Sequence, residues 1–135
     1  MKTFATLPII VAVSLGLLSS VAFAAGDPVK GKRVAKKCTA CHTMNEGGKK
    51  RLGPNLYGIV DQPAGAIAGY RYSKAMKASG VIWTEAALTG FIAKPKKFLK
   101  GTKMKFGGIK SAKQRADLVA YLKSLGKGAP ASPKE

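Results

Sequence analysis

Residues 38–42 read Cys38-Thr39-Ala40-Cys41-His42, and they hold both cysteines and the only histidine of the 135-residue chain. Three chemistries use two cysteines at this spacing. In the first, the thiols form thioethers to the two vinyl groups of a haem, and the adjacent His42 becomes the proximal iron ligand. In the second, Cys38 and Cys41 cycle between dithiol and disulfide, in a motif that usually sits where a strand meets a helix. In the third they are half of a zinc site, which needs four ligands.

The rest of the composition separates the three. A closed zinc site would have to recruit carboxylates from only six acidic residues. No run alternates apolar and polar residues, so the strand that a dithiol motif leans on is missing from the pattern. Haem attachment asks least of the remaining chain. The lone histidine then excludes two-histidine ligation within one chain, and a sixth iron ligand has to be Met, Lys, Tyr, a free amine or water.

Upstream of the motif, no charge occurs between Lys2 and Asp27, and the run passes through Ile9, Ile10, Val11, Leu15, Leu17 and Leu18 to Ala22-Phe23-Ala24-Ala25. A positive start, an apolar middle and an Ala-x-Ala end are the parts of a secretory signal peptide. Residues 1–25 are therefore expected to be a cleaved leader that directs the protein to the periplasm. The alternative is an uncleaved anchor, since the run matches the roughly 20 apolar residues that span a bilayer.

Removing Lys2 from 24 basic residues leaves 23 against six acidic ones, so the mature chain carries a net charge of +17. Its partners should be acidic surfaces, met quickly and in a salt-sensitive way. Export argues against nucleic acid, while a weak contact with an anionic membrane surface stays open.

The mature chain reads as one all-α domain over residues 26–127, followed by a flexible tail over 128–135. Asp27-Pro28 opens a helix expected to run to about Lys37, with a thin apolar face of Val29, Val34 and Ala35. From Thr43 to Gly69 the chain is dense in Gly and Pro and has no sustained period, so it is loop, long enough to need something to wrap. Ser73 to Ser79 forms a short helix, Thr84 caps another over Glu85 to about Lys94, and a turn covers Lys96 to Leu99. Ser111 caps a last helix with Leu118, Tyr121, Leu122 and Leu125 on one stripe.

Three methionines follow the leader. Met44 is too close to His42 to reach the opposite haem face, and Met76 lies in a helical segment where core filling accounts for it. Met104 sits in the glycine-flanked run Gly101-Thr102-Lys103-Met104-Lys105-Phe106-Gly107-Gly108, where no periodic apolar face explains it. It is the favoured sixth ligand.

Taken together, Cys38 to Thr43, Gly53-Pro54-Asn55-Leu56-Tyr57-Gly58, Gly80-Val81-Ile82-Trp83, Pro95-Lys96-Lys97-Phe98, Gly101 to Phe106 and Arg115 to Leu122 resemble the soluble single-haem cytochromes c. The likeness is to class I, in the bacterial periplasmic branch related to the mitochondrial protein, and it covers Gly26 to Leu125. It implies three to five helices and long loops wrapped around one haem c, attached through Cys38 and Cys41. It implies His42 and Met104 as axial ligands, with the Pro54 carbonyl orienting His42. Tyr72 and Trp83 match positions whose polar hydrogens reach a haem propionate, Thr102 matches a pocket residue, and the first and last helices would cross at Leu118 and Tyr121.

Departures from the family pattern bear on chemistry. Phe91 stands where a tyrosine hydroxyl often meets the methionine sulfur, Gln62 where an arginine commonly supports a propionate, and Met76 where an asparagine is frequent. A drier pocket and a rather high, positive potential follow. In the family fold the flanking lysines approach the exposed haem edge, so Lys36, Lys37, Lys49, Lys97, Lys103 and Lys105 are candidates for docking an acidic partner.

The expected function is that of a monomeric periplasmic carrier, not an enzyme, moving single electrons between acidic redox proteins of a respiratory or photosynthetic chain. Such partners include an oxidase, a quinol-oxidising complex, a reaction centre or a periplasmic dehydrogenase. The rivals are a small haem peroxidase or gas sensor with an open iron position, and a basic membrane-binding or nucleic-acid-binding protein without cofactor.

Overall fold

A computed structural model describes residues 25–126, in which five helices and one isolated bridge are the only regular structure. The expected leader, Ala25 apart, and the expected tail over 128–135 lie outside the described residues. Helix α1 spans Pro28–Ala35. The Asp27 carboxylate accepts from the backbone N–H groups of Val29 and Lys30 at 2.9 and 3.1 Å, and Pro28 fills the first turn, where its missing N–H costs nothing.

Helix α1 stops two residues before Lys37. The Lys36 N–H turns to the Arg33 carbonyl at 3.3 Å, tightening the last turn, and further turns carry the chain to the cysteines. Its thin apolar stripe is only partly its packing face. Val29 is 67% exposed, whereas Gly31 and Ala35 are buried.

Helix α5, Ala112–Ser124, is the element against which α1 packs most extensively. Its cap is Ser111, whose hydroxyl accepts from the Gln114 N–H at 3.3 Å. Leu118, Val119 and Leu122 are buried, and Tyr121 and Leu125 pack at the edge of the core. At the crossing, Gly26 and Gly31 rest on the α5 backbone itself, with no room for a side chain. The Asp117 carboxylate accepts the Asp27 N–H at 2.7 Å and the Lys113 ammonium, tying the start of α1 to α5 across 90 residues.

Helix α2, Lys74–Ala78, is capped by Ser73 and buries Met76. Helix α3, Glu85–Ala93, is capped by Thr84 and buries Leu88, Phe91 and Ile92. Pro95 both ends α3 and starts the one-turn helix α4, Pro95–Phe98, one residue before the turn expected over Lys96 to Leu99. The shift follows from the preference of proline for a first helical position.

The region from Thr43 to Gly69 has no helix and meets the rest of the chain around Trp83. Pro63 and Ile82 form an isolated antiparallel bridge. The Trp83 N–H donates to the Gln62 carbonyl at 2.9 Å, and the Asp61 N–H donates to the Trp83 carbonyl at 3.0 Å. The loop thus covers a core in which Ile59, Trp83, Phe91, Ile109, Leu118 and Leu122 are buried. The fold is all-α, with no named strand among the described residues. None of their helices is long and apolar enough to cross a membrane.

Candidate functional site

The end of α1 presents the motif. The Cys38 N–H donates to the Ala35 carbonyl at 2.8 Å, and the Cys38 carbonyl then accepts both the Cys41 N–H at 3.1 Å and the His42 N–H at 2.9 Å. One turn therefore carries all three side chains. Both cysteines are free and half-buried. Burial pushes the Cys38 thiol up, and the neighbouring Cys41 adds to the effect. Among the described residues no three His, Cys, Asp or Glu side chains gather into a metal cluster, so the motif does not converge as a zinc centre would.

His42 is 8% exposed, and burial holds its imidazole below the ordinary pKa despite an opposing hydrogen bond. Its Nδ1 lies 2.7 Å from the Pro54 carbonyl oxygen. A carbonyl only accepts, so Nδ1 carries the proton and Nε2 keeps its lone pair. The ring is also confined sterically. A Cβ on Gly53 would stand 2.6 Å from Nδ1 and 2.8 Å from Nε2, and the Gly53 N–H donates to the Cys41 carbonyl at 2.7 Å. The Gly53-Pro54 pair thus wraps the imidazole from the backbone side.

Met104 lies in the loop between α4 and α5, half-buried against the core. Its N–H donates to the Thr102 hydroxyl at 3.3 Å, so Thr102 helps to shape the backbone that presents the thioether. The loop is held at both ends. Gly101, at φ +86°, approaches α2 so closely that a Cβ would stand 2.8 Å from the Ala75 Cβ. Past Gly108, the Ile109 N–H donates to the Ile92 carbonyl at 2.9 Å. The Lys103 ammonium reaches the Arg71 carbonyl at 2.9 Å and ties the loop to the segment carrying Tyr72. Met76 is buried in the core, and Met44 is half-buried at its edge.

Aromatic side chains line the interior beside these loops. Trp83 is 6% exposed, with its ring 5.0 Å from Phe91 and 6.5 Å from Phe98. Tyr72 is half-buried and meets Tyr70 edge-on at 4.7 Å, and burial pushes its hydroxyl up. Two of the departures, Phe91 and Met76, are buried apolar residues, while Gln62 is at the surface.

The six candidate docking lysines, Lys36, Lys37, Lys49, Lys97, Lys103 and Lys105, are all exposed. Lys37 reaches the Gln114 side chain at 3.5 Å. Gly31, Gly53 and Asp117 matter to the architecture, yet in the sequence Gly53 and Asp117 stand out only as members of longer motifs, and nothing marks Gly31. A glycine beside the proline that follows the haem motif was the available signal for Gly53.

The donors present fit a covalently bound haem. Two free thiols share a turn with a buried imidazole, and the Nδ1 of that imidazole is engaged by a carbonyl, as an orienting partner of a metal-binding histidine should be.

A profile of the family described as "Cytochrome c" matches residues 28–126. The chain is similar to "Cytochrome c" of Nigella damascena, 44% identical over 100 residues that cover 73% of this chain and 90% of that one. It is similar to "Cytochrome c2" of Rhodomicrobium vannielii, 45% identical over 104 residues that cover 77% and 83%. Among solved structures, cytochrome cH from Methylobacterium extorquens superposes with a TM-score of 0.70 at 42% identity, covering 73% of this chain and 99% of that one.

Proposed function

The chain belongs to the cytochrome c family, which makes it an electron carrier with a covalent c-type haem and not an enzyme, and we propose that it works in the periplasm with His42 and Met104 as axial ligands. Residues 1–25 act as a cleaved signal peptide, and residues 26–127 form the carrier domain.

The observation that carries the ligand reading is the 2.7 Å contact between His42 Nδ1 and the Pro54 carbonyl, which leaves Nε2 as the ring's metal-binding nitrogen. A haem bound here supplies a one-electron couple at its iron. The protein's own task is to hold that couple in place and to exclude water. Cys38 and Cys41 anchor it covalently, Trp83 and Phe91 keep its surroundings apolar, and the Met104 loop is pinned at Gly101, Lys103 and Ile109. Little reorganisation then accompanies a change of oxidation state. Tyr72 and Trp83 serve the haem propionates, and Thr102 supports the methionine side.

Exposed Lys36, Lys37, Lys49, Lys97, Lys103 and Lys105 would steer acidic redox proteins of a respiratory or photosynthetic chain into brief complexes, in which a haem held by Cys38, Cys41, His42 and Met104 would supply the one-electron exchange. The carrier is a monomer, and an anionic membrane surface is a weak secondary contact.

The deciding experiment is the absorption spectrum of the purified holo-protein in both oxidation states. His/Met ligation predicts a sulfur-to-iron band at the red end of the oxidised spectrum, lost in Met104→Ala with a fall in potential. A band unaffected by that substitution would rule Met104 out. Mass spectrometry of the exported protein tests the leader, since an intact Met1 contradicts cleavage.

A further inference from the structure

The run that carries Met104 is extended. Thr102, Met104, Phe106 and Gly108 are half-buried and alternate with exposed Gly101, Lys103, Lys105 and Gly107, as side chains do on a strand. Unlike a strand, it has no ladder. None of the backbone N–H groups of residues 105–108 donates a hydrogen bond among the described residues. The register that turns Met104 inwards is therefore set where the run is anchored, and a slip of one residue would turn it outwards.

The downstream anchor is Ile109, which is 3% exposed. Its N–H donates at 2.9 Å to the Ile92 carbonyl, one of those that the end of α3 leaves unpaired. Its own carbonyl is taken by α5. Arg115 Nη1 donates to the Ile109 and Lys110 carbonyls at 2.8 and 2.7 Å. Two helices thus hold Ile109 at once. Gly108, at φ +95°, completes the anchor, because a Cβ there would overlap the Ala93 carbonyl oxygen.

An arginine is a costly means of holding two carbonyls. Arg115 is half-buried, no carboxylate pairs with it, and its Nε is buried without a hydrogen-bond partner among the described residues. An orphaned buried donor lowers stability. What offsets that cost is a pair of charge-assisted bonds to consecutive peptides at the point where the loop meets the core.

The geometry points to Arg115 as a positioning residue for the iron ligand: from α5 it fixes a hinge at Ile109, so that the Met104 loop opens only upstream of that residue. This rests on the reading of Met104 as the axial ligand. Arg115 acts through the Ile109 and Lys110 carbonyls. Without it the free segment lengthens towards α5, and Met104 spends more time detached.

The test uses the oxidised holo-protein and neutral imidazole, which can reach the iron on this side only while Met104 is away. Its apparent affinity therefore scales with the open fraction. In Arg115→Leu that affinity should rise at least about fivefold, and the Ile109 amide should lose protection from hydrogen exchange. Asp117→Asn, two residues on in the same helix, loosens the crossing with α1 instead and should change the affinity less than about twofold. Equal rises in the two variants at comparable melting temperatures would make Arg115 a general stabiliser and overturn the proposal. So would an unchanged affinity in Arg115→Leu.

The wild-type protein supplies a check that no variant's folding can obscure. Saturating imidazole should speed exchange at the Thr102 and Met104 amides while the Ile109 amide stays protected. Loss of protection at Ile109 on imidazole binding would place the hinge elsewhere and overturn the proposal. Met104→Ala separates this inference from the ligand assignment. Its imidazole affinity should exceed that of wild type and of both α5 variants. An affinity equal to wild type would remove Met104 as the ligand, and the role of Arg115 with it.

Discussion

Gly31 of α1 rests directly on the peptide of Asp117 in α5. A Cβ at position 31 would overlap the Asp117 carbonyl oxygen and stand 2.7 Å from the Tyr121 Cβ. Because the neighbours are backbone and the root of a side chain, they cannot rotate away. Gly31→Ala should therefore force the helices apart and destabilise the holo-protein by about 2–3 kcal/mol, the upper part of the range for overpacking. Guanidinium denaturation monitored by far-ultraviolet circular dichroism measures this. A loss below about 0.5 kcal/mol, typical of a neutral surface change, would mean that the crossing is not as tight as described.

Gly53 makes a comparable contact with a different consequence, since its neighbour is the His42 ring. In Gly53→Ala the new methyl must push the imidazole, lengthening or breaking the Nδ1–Pro54 hydrogen bond. Covalent attachment through Cys38 and Cys41 should persist, while the absorption spectrum and the reduction potential change. A variant with wild-type spectrum and potential in both oxidation states would show that ring placement tolerates the methyl.

Asp117 gives the crossing a pH dependence. Its carboxylate is held below the usual range, first by the Asp27 N–H and then by the Lys113 ammonium. A depressed native pKa contributes stability above the unfolded value of about 3.9 and loses it as pH falls through the lower native value. Wild-type stability should thus decline as pH drops below about 4. Asp117→Asn should be less stable near neutrality and show a shallower acid slope. Parallel slopes in denaturant titrations from pH 6 to pH 2 would count against the assignment.

Phe91 packs against Trp83 and Phe98 with 7% of its surface exposed. Phe91→Tyr places a hydroxyl in this interior. If it donates to the Met104 sulfur, it withdraws electron density from the thioether, and the potential rises. Stability should then stay within about 1 kcal/mol of wild type, whereas an unpaired hydroxyl costs about 1–3 kcal/mol. Equilibrium redox titration and thermal melts together distinguish the two results. An unchanged potential would mean that the hydroxyl does not reach the sulfur.

The excess of positive charge, +18 for the whole chain, makes a kinetic prediction. Electron transfer to an acidic redox protein should slow about tenfold or more between low and physiological ionic strength, because steering fades as the Debye length shrinks from about 30 to 8 Å. Lys97→Gln should lower the low-salt rate and flatten the dependence. Stopped-flow rates that ignore salt would remove steering from the mechanism.

The features legible along the chain were those written in side-chain chemistry at short range. Cys38, Cys41 and His42 lie within five residues, and a single histidine limits the ligand set without any coordinates. Asp27, Ser73, Thr84 and Ser111 announced helix starts because a capping side chain bonds to amides only two or three residues away. The stripe on α5 was periodic, and its Leu118 and Leu122 proved buried, with Tyr121 and Leu125 half-buried at the edge of the core.

The misjudged face of α1 shows where this reach ends. Val29 looked like a packing residue and is exposed, while Gly31, with no side chain to enter a hydrophobic pattern, makes the contact. Long-range donations from side chains to carbonyls were equally hidden. Every residue offers a carbonyl, so nothing in the order of residues says that Lys50 will reach Gly69, or Lys103 will reach Arg71. Local chemistry therefore determined the haem anchor, the helix starts and the fold class. Tertiary structure alone chose the helix crossing, the confinement of His42 by Gly53 and the tie from Lys103 to Arg71, because these depend on backbone approaching backbone and on groups meeting across long separations in the chain.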